Sequence, residues 1–163
     1  MPDPEETTAD PVIHARRIHD GAVADPRRYG PIAADLLRQT RRSGPPEALA
    51  IALRAAAWVQ RAQFSAAEAR RLLDEAARVA RRHRLDTTLA DVLMTRSSVN
   101  QELGNMTGAR RDLDVAAGLV SGDRATELTF QRAVLDQNLG RLVPAAAGYR
   151  QVLAAPTTGR FLV

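Results

Sequence analysis

The 163-residue chain is long enough for one domain with a substantial core, and its apolar fraction of 45% and charged fraction of 26% are ordinary for a globular protein. All 23 basic residues are Arg, and 19 interspersed acidic residues leave a net charge of +4, which is typical of solvated helix faces rather than a nucleic-acid-binding surface. The lack of cysteine excludes disulfides, thiolate metal sites and a cysteine nucleophile.

Ala and Leu dominate the apolar residues, whereas β-branched and aromatic side chains are scarce. Ala and Leu lose little freedom on entering a helix, and a sheet protein would need the residue types that are scarce here. The composition therefore predicts an all-α fold. No stretch approaches the roughly 18 consecutive apolar residues of a membrane span. Residues 1–9 are polar and acidic, the reverse of a secretion signal, which predicts a disordered N-terminal segment and a cytoplasmic protein.

Proline and glycine divide the chain into about eight helical segments. The first is predicted to begin at Asp10-Pro11, with the aspartate as N-cap, and to run to about Ala24. It is expected to bury, on one side, Val12, Ile13, Ala15, Ile18 and Val23. Asp25-Pro26 opens the second segment, which runs to about Arg42. Pro31 lies deep in this segment, which leaves a start near Gly30 as an alternative.

A break at residues 43–46, Ser-Gly-Pro-Pro, separates the second segment from a third that is predicted over residues 46–62. Ser65, followed three residues later by Glu68, predicts a capping box for the fourth, which ends around Arg84. Asp86 is predicted to cap the fifth, and Gly104 to close it in a left-handed turn. The remaining three segments are predicted over 107–120, 124–139 and 142–154.

One pattern is repeated in the last two helix pairs. Leu103-Gly104 and the residues at fixed spacing after it, Ala109, Leu113 and Ala116, match Leu139-Gly140 followed by Ala145, Tyr149 and Val152. The copies are offset by 36 residues, from Ala109 to Ala145, and a third copy lies 40 residues earlier at Ala69, Leu73 and Ala76. The small residue lets two helices approach closely, the larger one fills the groove between them, and the glycine ends the first helix.

This pattern resembles the tetratricopeptide repeat family over roughly residues 46–155, whose period is about 34 residues. The resemblance implies a right-handed superhelix of about four helical hairpins, with a repeat domain at 10–155 and a tail at 156–163. Residues 10–43 fit only as a helical pair. Arg96-Ser97 and Arg132-Ala133 replace the family's Leu-Gly pair, and the consensus aromatic of the first helix is missing, so the chain resembles a degenerate member.

Residues 140–153, Gly-Arg-Leu-Val-Pro-Ala-Ala-Ala-Gly-Tyr-Arg-Gln-Val-Leu, carry a narrower resemblance. They are similar to the N-terminal repeats of actinobacterial CHAT-domain proteins, in which a caspase-like domain with the catalytic His and Cys follows the repeats. This resemblance implies an alternative function, as the regulatory or sensor repeat module of a CHAT-type protease system. The catalytic domain of such a system is absent from this chain, so no protease residue is carried over.

No group of residues predicts catalysis, a metal site or a cofactor. His14, His19 and His83 lie outside any zinc-binding helix motif and are interpreted as surface or half-buried side chains. The Arg-rich run at 78–84 is interpreted as a solvated helix C-terminus, because no aromatic residue is interleaved with it for base stacking. The sequence therefore predicts a protein that is not an enzyme, has no cofactor and binds neither nucleic acid nor a membrane.

The tetratricopeptide resemblance also implies a binding groove, because one face of each repeat's first helix lines the concave surface in that family. In the two later repeats these positions hold Asp91, Met94, Ser98, Gln101, Glu127, Phe130, Val134 and Gln137. The family's clamp for C-terminal carboxylates needs Lys and Asn at such positions, and neither occurs there. The prediction is therefore a scaffold that binds a different peptide or a partner protein domain.

The last predicted helix presents apolar residues, and no recognisable capping helix follows it. A repeat array normally covers its terminal apolar face. The expected cover is the rest of a longer protein, the tail folded back, or another subunit, of which the first and the last are favoured. A homo-oligomer formed through these C-terminal helices is therefore among the predicted partners.

Overall fold

The computed structural model describes residues 10–156, and within that range it contains eight α-helices and no strand. The all-α class predicted from composition is confirmed. The helices are α1 Pro11–Ala24, α2 Pro26–Ser43, α3 Pro46–Ala62, α4 Ala66–Arg82, α5 Asp86–Glu102, α6 Met106–Ala117, α7 Asp123–Asn138 and α8 Leu142–Ala154. None of these helices combines the length and the apolar content that crossing a bilayer requires. The segments at 1–9 and 157–163, for which disorder and a tail were predicted, lie outside the described residues.

The chain divides inside α5, between Thr88 and Leu89, into two compact units. In the first unit, α3 packs against α1, α2 and α4, and α1 also packs against α2. The core that α1, α2 and α3 share consists of small and medium apolar side chains: Ala15, Ile18, Ala22, Ala33, Leu36, Ala48, Ile51, Ala52, Ala55 and Val59. Alanines at so many contacts let the helix axes approach closely, as the composition led us to expect.

In the second unit, α7 packs against both α6 and α8. The α7–α8 contact is close at Gly148, where an added Cβ would lie 2.8 Å from the Cβ of Ala133. Real Cβ atoms do not approach one another so closely, so glycine at this position sets the separation of the two helices. Ala145, predicted as the small contact residue of α8, is buried as expected.

The buried face of α1 differs from the predicted one. Ile13 and Val23 are exposed, whereas Ala22 and His19 are buried beside Ala15 and Ile18. The prediction was wrong because Ile13 lies about 160° around the helix from Ala15 and Val23 about 140° from Ile18, so neither shares the α3-facing side. The interpretation of His19 as a surface or half-buried side chain is also wrong, because His19 lies about 40° from Ala15 and shares the buried side. His14 and His83 are exposed as predicted.

An aspartate caps each of the first two helices, which confirms the N-cap predicted at Asp10 and the helix start predicted at Asp25-Pro26. The Asp10 carboxylate accepts a hydrogen bond from the backbone N–H of Val12 at 2.8 Å, and Asp25 accepts one from that of Arg28 at 3.0 Å. Because α2 begins at Pro26, the alternative start near Gly30 is wrong, and Pro31 lies inside the helix. Pro31 is exposed, so water can hydrate the backbone carbonyl that loses its helical hydrogen bond there.

Two other predicted helix starts differ from the structure. Ser65 precedes α4 but makes no side-chain capping hydrogen bond, and Glu68 instead contacts the Arg71 guanidinium at 3.4 Å, so the predicted capping box is wrong. Asp86 is the first residue of α5 rather than its cap. The Arg-rich run, by contrast, is confirmed as the exposed C-terminal end of α4.

Four helix ends share one turn geometry. At each, the residue two positions beyond the last helical residue has a positive φ, and the next backbone N–H bonds to the carbonyl five residues back, as in a Schellman motif. At two of these turns the residue is a glycine, Gly104 or Gly140, and the left-handed turn was correctly predicted. The other two turns place a non-glycine residue in the left-handed region: Phe64 with φ 59° and Arg84 with φ 54°.

Replacing Phe64 by Gly is expected to raise the free energy of unfolding by about 0.5–1 kcal/mol. Left-handed strain of about 1–2 kcal/mol is relieved, which exceeds the entropy that glycine adds to the unfolded chain. The Phe64 side chain is 99% exposed, so no packing is lost. Urea unfolding followed by circular dichroism measures the change.

The matched control is Gly104→Ala, where φ is 75° and nothing lies within 4 Å of an added Cβ. This substitution introduces the same backbone strain without a clash, and it is expected to lower the free energy of unfolding by about 1 kcal/mol. A Phe64→Gly protein no more stable than the starting protein would contradict the left-handed conformation at this turn.

Candidate functional site

The eight predicted groove residues lie on α5 and α7, which run side by side in the same direction. Three hydrogen-bonded side-chain pairs join the two helices along their length. The Asp91 carboxylate accepts from Nε of Arg124 at 3.0 Å, the Ser98 hydroxyl donates to Oε1 of Gln131 at 3.1 Å, and Oε1 of Gln101 accepts from Nδ2 of Asn138 at 2.7 Å. We call these three pairs the α5–α7 ladder.

Three of the four predicted residues on α5 take part in the ladder. Each forms a hydrogen bond with a residue of α7 that was not predicted. Oδ2 of Asp91 also accepts a hydrogen bond from Nη2 of Arg124 at 3.4 Å, so the guanidinium approaches both carboxylate oxygens. The hydrogen bond to Asp91 raises the pKa of Arg124, an effect that burial partly opposes and the negative charge of Asp91 reinforces. The Arg124 guanidinium at this end of the ladder is therefore positively charged throughout the physiological pH range.

Met94, the fourth predicted residue on α5, is placed differently. Its side chain is only 4% exposed, so it belongs to the packed interior and offers a ligand almost no surface. Its repeat equivalent on α7, Phe130, is 37% exposed. The two positions are therefore unequal, although the repeat pattern gave both the same role.

An aromatic pair joins α7 and α8: Phe130 lies on α7 and Tyr149 on α8. The Phe130 and Tyr149 rings have centroids 6.0 Å apart with their planes inclined by 56°, an arrangement in the favourable range for aromatic side chains. The Tyr149 hydroxyl donates to Oε1 of Gln137 at 2.6 Å, which joins α8 to another predicted groove residue. Val134 is half-buried between these positions along α7. Phe130, Tyr149 and Gln137 form what we call the aromatic patch.

Glu127 completes the predicted set. Its carboxylate accepts a hydrogen bond from Nε2 of Gln131 at 3.1 Å. Because Oε1 of Gln131 accepts from the Ser98 hydroxyl, Glu127 is linked to the α5–α7 ladder. The amide of Gln131 is thereby fixed at both ends. The polar groups on this face hold one another in place, and the aromatic patch is the part of it that offers an apolar contact surface.

A buried polar network holds α5 against α6. Nε and Nη2 of Arg96 donate to the two carboxylate oxygens of Asp112, at 2.9 Å and 2.6 Å, and Nδ2 of Asn100 donates to Oδ2 of Asp112 at 3.0 Å. Asp112 and Asn100 are buried. Two parallel N–H···O bonds fix orientation as well as distance, so this network fixes the orientation of α5 relative to α6.

Within residues 10–156, no three His, Asp or Glu side chains are grouped as metal ligands would be. Ser97 is buried with its hydroxyl unpartnered among the described residues, and Ser98 is used in the α5–α7 ladder.

The repeat alignment could not reveal the partners of the ladder. Arg124 lies three residues before Glu127, the repeat equivalent of Asp91, and Gln131 lies three residues before Val134, the equivalent of Ser98. Three residues correspond to about 4.5 Å along a helix. A search for complementary polar pairs one turn away from the aligned positions would have found both.

Compared with models of known protein families and with curated protein sequences, the chain matches none. The resemblances to tetratricopeptide repeats and to CHAT-domain proteins therefore stay predictions.

Proposed function

We propose that this protein is a non-catalytic interaction scaffold of the tetratricopeptide type, which binds a peptide or a partner protein domain through the face formed by α5 and α7. The observation that carries the proposal is the aromatic patch on helices cross-linked by the α5–α7 ladder. Phe130 supplies exposed aromatic surface there, and Gln137 supplies a polar group beside it.

The rigidity of the face supports this function. Binding costs free energy when side chains and backbone must be ordered on the ligand, and a pre-organised surface avoids part of that cost. On this face, Asp91, Ser98, Gln101 and Glu127 are already hydrogen-bonded to neighbouring side chains. A ligand would therefore gain most from the aromatic patch, and partly buried aromatic residues are common among the side chains that dominate binding energy.

The face favours a ligand with an apolar or aromatic anchor and a hydrogen-bond donor. Phe130 offers ring surface, while the carboxylate of Glu127 and the amide oxygen of Gln137 are acceptors. A ligand carboxylate would find no lysine here, because the chain contains none. An extended or helical peptide segment that carries one large apolar side chain fits these requirements.

Replacing Phe130 by Ala is expected to weaken peptide binding by about 30-fold or more, because an anchor side chain of this kind contributes about 2 kcal/mol. Peptides selected from a random display library against the unmodified protein provide the ligands, and fluorescence anisotropy measures their affinity. Far-UV circular dichroism should be unchanged, since Phe130 is partly exposed. Met94 is unsuitable for this test because its truncation would leave a cavity in the interior.

The matched control is Ile13→Ala, which removes an exposed apolar side chain on α1 and should leave the affinity unchanged. Gln137→Ala should reduce the affinity less than Phe130→Ala does. Failure to select any peptide, or selected peptides that bind the Phe130→Ala protein as tightly as the original, would refute the proposed site.

A further inference from the structure

The C-terminal end of α4 carries four exposed arginines, Arg78, Arg81, Arg82 and Arg84, which we call the arginine cluster. None of them forms an ion pair with a residue that the structure describes, and residues 76–85 contain no carboxylate. Arg78 and Arg82 are one turn apart, about 6 Å along the helix axis, and Arg81 is adjacent to Arg82. These three guanidinium groups therefore extend from one side of α4.

The nearest carboxylates on α4 are bonded to other arginines. Oδ1 of Asp74 accepts from Nε of Arg70 at 2.9 Å, and Oε2 of Glu75 accepts from Nη2 of Arg41 on α2 at 2.7 Å. A helix C-terminus favours nearby cations, but it is equivalent to only about half an elementary negative charge, against four guanidinium groups. Within the part of the chain that the structure describes, most of the positive charge of the arginine cluster is therefore uncompensated.

One member of the cluster has a strained backbone. Arg84 has a φ of 54° at the turn that follows α4, whereas the equivalent turns after α5 and α7 have Gly104 and Gly140. A residue other than glycine destabilises such a turn. No hydrogen bond or ion pair between Arg84 and another described residue offsets this cost. Strain of this kind is concentrated at functional positions, so it points to a role for Arg84 outside the fold.

The extent of the cluster favours a short anionic segment. Carboxylates flank it on both sides, at Asp74 and Glu75 on α4 and at Asp86 where α5 begins. A long polyanion such as a nucleic acid would meet these like charges, and residues 76–85 contain no aromatic side chain on which bases could stack. A guanidinium binds a carboxylate through two parallel hydrogen bonds, so the cluster suits two or three neighbouring carboxylates.

We propose that the arginine cluster binds a short acidic segment of a partner protein, in which two or three neighbouring Asp or Glu side chains pair with the guanidinium groups. Clustered arginines recognise acidic motifs in this way in several kinds of complex. The cluster lies in the first compact unit, whereas the predicted groove residues of the α5–α7 face lie in the second. Each proposal can therefore fail without the other.

The probe is a fluorescein-labelled, amidated peptide with three consecutive glutamates between Gly-Ser flanks, and the control probe has three glutamines instead. The full chain is titrated into each probe at about 0.05 M salt, where screening is weak, while anisotropy is recorded. We expect the glutamate peptide to bind at least tenfold more tightly, because each exposed ion pair contributes up to about fivefold. Raising the salt to about 0.5 M should remove most of this difference.

Two double variants that change the net charge equally locate the binding. Arg78→Gln combined with Arg82→Gln should weaken binding of the glutamate peptide about tenfold. Arg110→Gln combined with Arg111→Gln, which replaces two exposed arginines of α6, should leave the affinity unchanged. Helicity should be unaffected in both, since all four side chains are exposed. Equal affinity for the two peptides, or equal losses in the two double variants, would overturn the proposal.

Arg84→Gly separates binding from folding. It should weaken binding of the glutamate peptide about threefold and at the same time raise the urea midpoint of unfolding, because glycine relieves the left-handed strain. A residue that served only the fold would not give these opposite effects. An affinity that Arg84→Gly leaves unchanged would overturn the role assigned to this residue.

Two other occupants of the cluster would be recognised by the same titrations. A labelled DNA duplex that binds more tightly than the glutamate peptide, and is weakened by the Arg78 and Arg82 substitutions, would show that nucleic acid binds there and would overturn the proposal. Peptide binding that appears only in a protein with Asp3→Asn, Glu5→Gln and Glu6→Gln would show that the chain's own carboxylates occupy the cluster instead.

Discussion

Replacing Asp112 by Ala is expected to lower the free energy of unfolding by about 3–5 kcal/mol, a large fraction of the stability of a typical small domain. Asp112 receives three hydrogen bonds in the buried network between α5 and α6, two of them from the Arg96 guanidinium. Its removal takes these two charge-assisted hydrogen bonds from the largely buried guanidinium and one from the amide of Asn100. The penalty comes from leaving desolvated donors without these carboxylate oxygens more than from the intrinsic strength of the bonds.

The chain provides a matched control for this substitution two residues further along α6. Asp114→Ala breaks the ion pair with Arg132, in which both side chains are largely exposed. Exposed pairs of this kind contribute about 0–1 kcal/mol, so Asp114→Ala should barely move the unfolding midpoint. The contrast separates the effect of burial from that of losing a negative charge on α6.

A double variant tests whether the loss of stability comes from removing only one partner of the buried Arg96–Asp112 pair. When Arg96→Met is combined with Asp112→Leu, both charges of the pair are removed together and replaced by apolar side chains, and the protein should be more stable than the one with Asp112→Ala alone. Urea unfolding of the three variants gives the comparison. Similar losses for Asp112→Ala and Asp114→Ala would show that the network between α5 and α6 is not desolvated as its burial indicates.

The sequence was most informative where a residue type determines the local backbone. Asp10 was predicted as an N-cap, Asp25-Pro26 as a helix start, and Gly104 and Gly140 as left-handed turns, because few other residues suit those positions, and the structure confirms all four. The equivalent turns at Phe64 and Arg84 could not be recognised, since neither residue type favours a positive φ. Their conformation follows from the packing of the helices on either side, which local sequence does not encode.

The candidate site was less predictable than the fold because it depends on how neighbouring helices are shifted along their axes. The tetratricopeptide resemblance assigned Ser98 and Gln101 to the groove side of α5, and the structure places both on the side that contacts α7. Such a resemblance identifies equivalent positions on each helix. It contains no information on axial shift, so the partners Gln131 and Asn138 were missed. It also gave Met94 the same role as Phe130, although the contacts that bury Met94 are not repeated at Phe130.

The sequence also failed to predict which polar residues are buried. Asn100, Asp112 and His19 are polar types that sequence patterns assign to the surface, yet all three are buried. Asn100 and Asp112 satisfy each other within one network. Nε2 of His19, in contrast, is buried without a hydrogen-bond partner among the described residues. A buried, poorly satisfied histidine makes stability depend on pH, because folding must keep it neutral.

The protein is expected to lose stability below pH 6.5 through His19. Burial lowers the pKa of His19 to about 2, and the positive charge of Arg54 acts in the same direction. Asp20 lies 3.3 Å from Nδ1, but its carboxylate is largely solvated and does not offset the burial. The unfolded chain binds a proton at this histidine below pH 6.5 and the folded chain does not, so acid favours unfolding.

The contribution amounts to about 1.4 kcal/mol for each pH unit between 6.5 and the folded pKa, or roughly 2.7 kcal/mol between pH 7.5 and pH 4.5. His19→Leu removes the titrating group. Urea unfolding at several pH values should show that the original protein loses about 2.7 kcal/mol more stability than His19→Leu between pH 7.5 and pH 4.5. His14→Leu, on the exposed side of the same helix, should leave the pH dependence unchanged. Parallel curves for the original protein and His19→Leu would mean that His19 titrates alike in the folded and unfolded states, which its burial against α3 argues against.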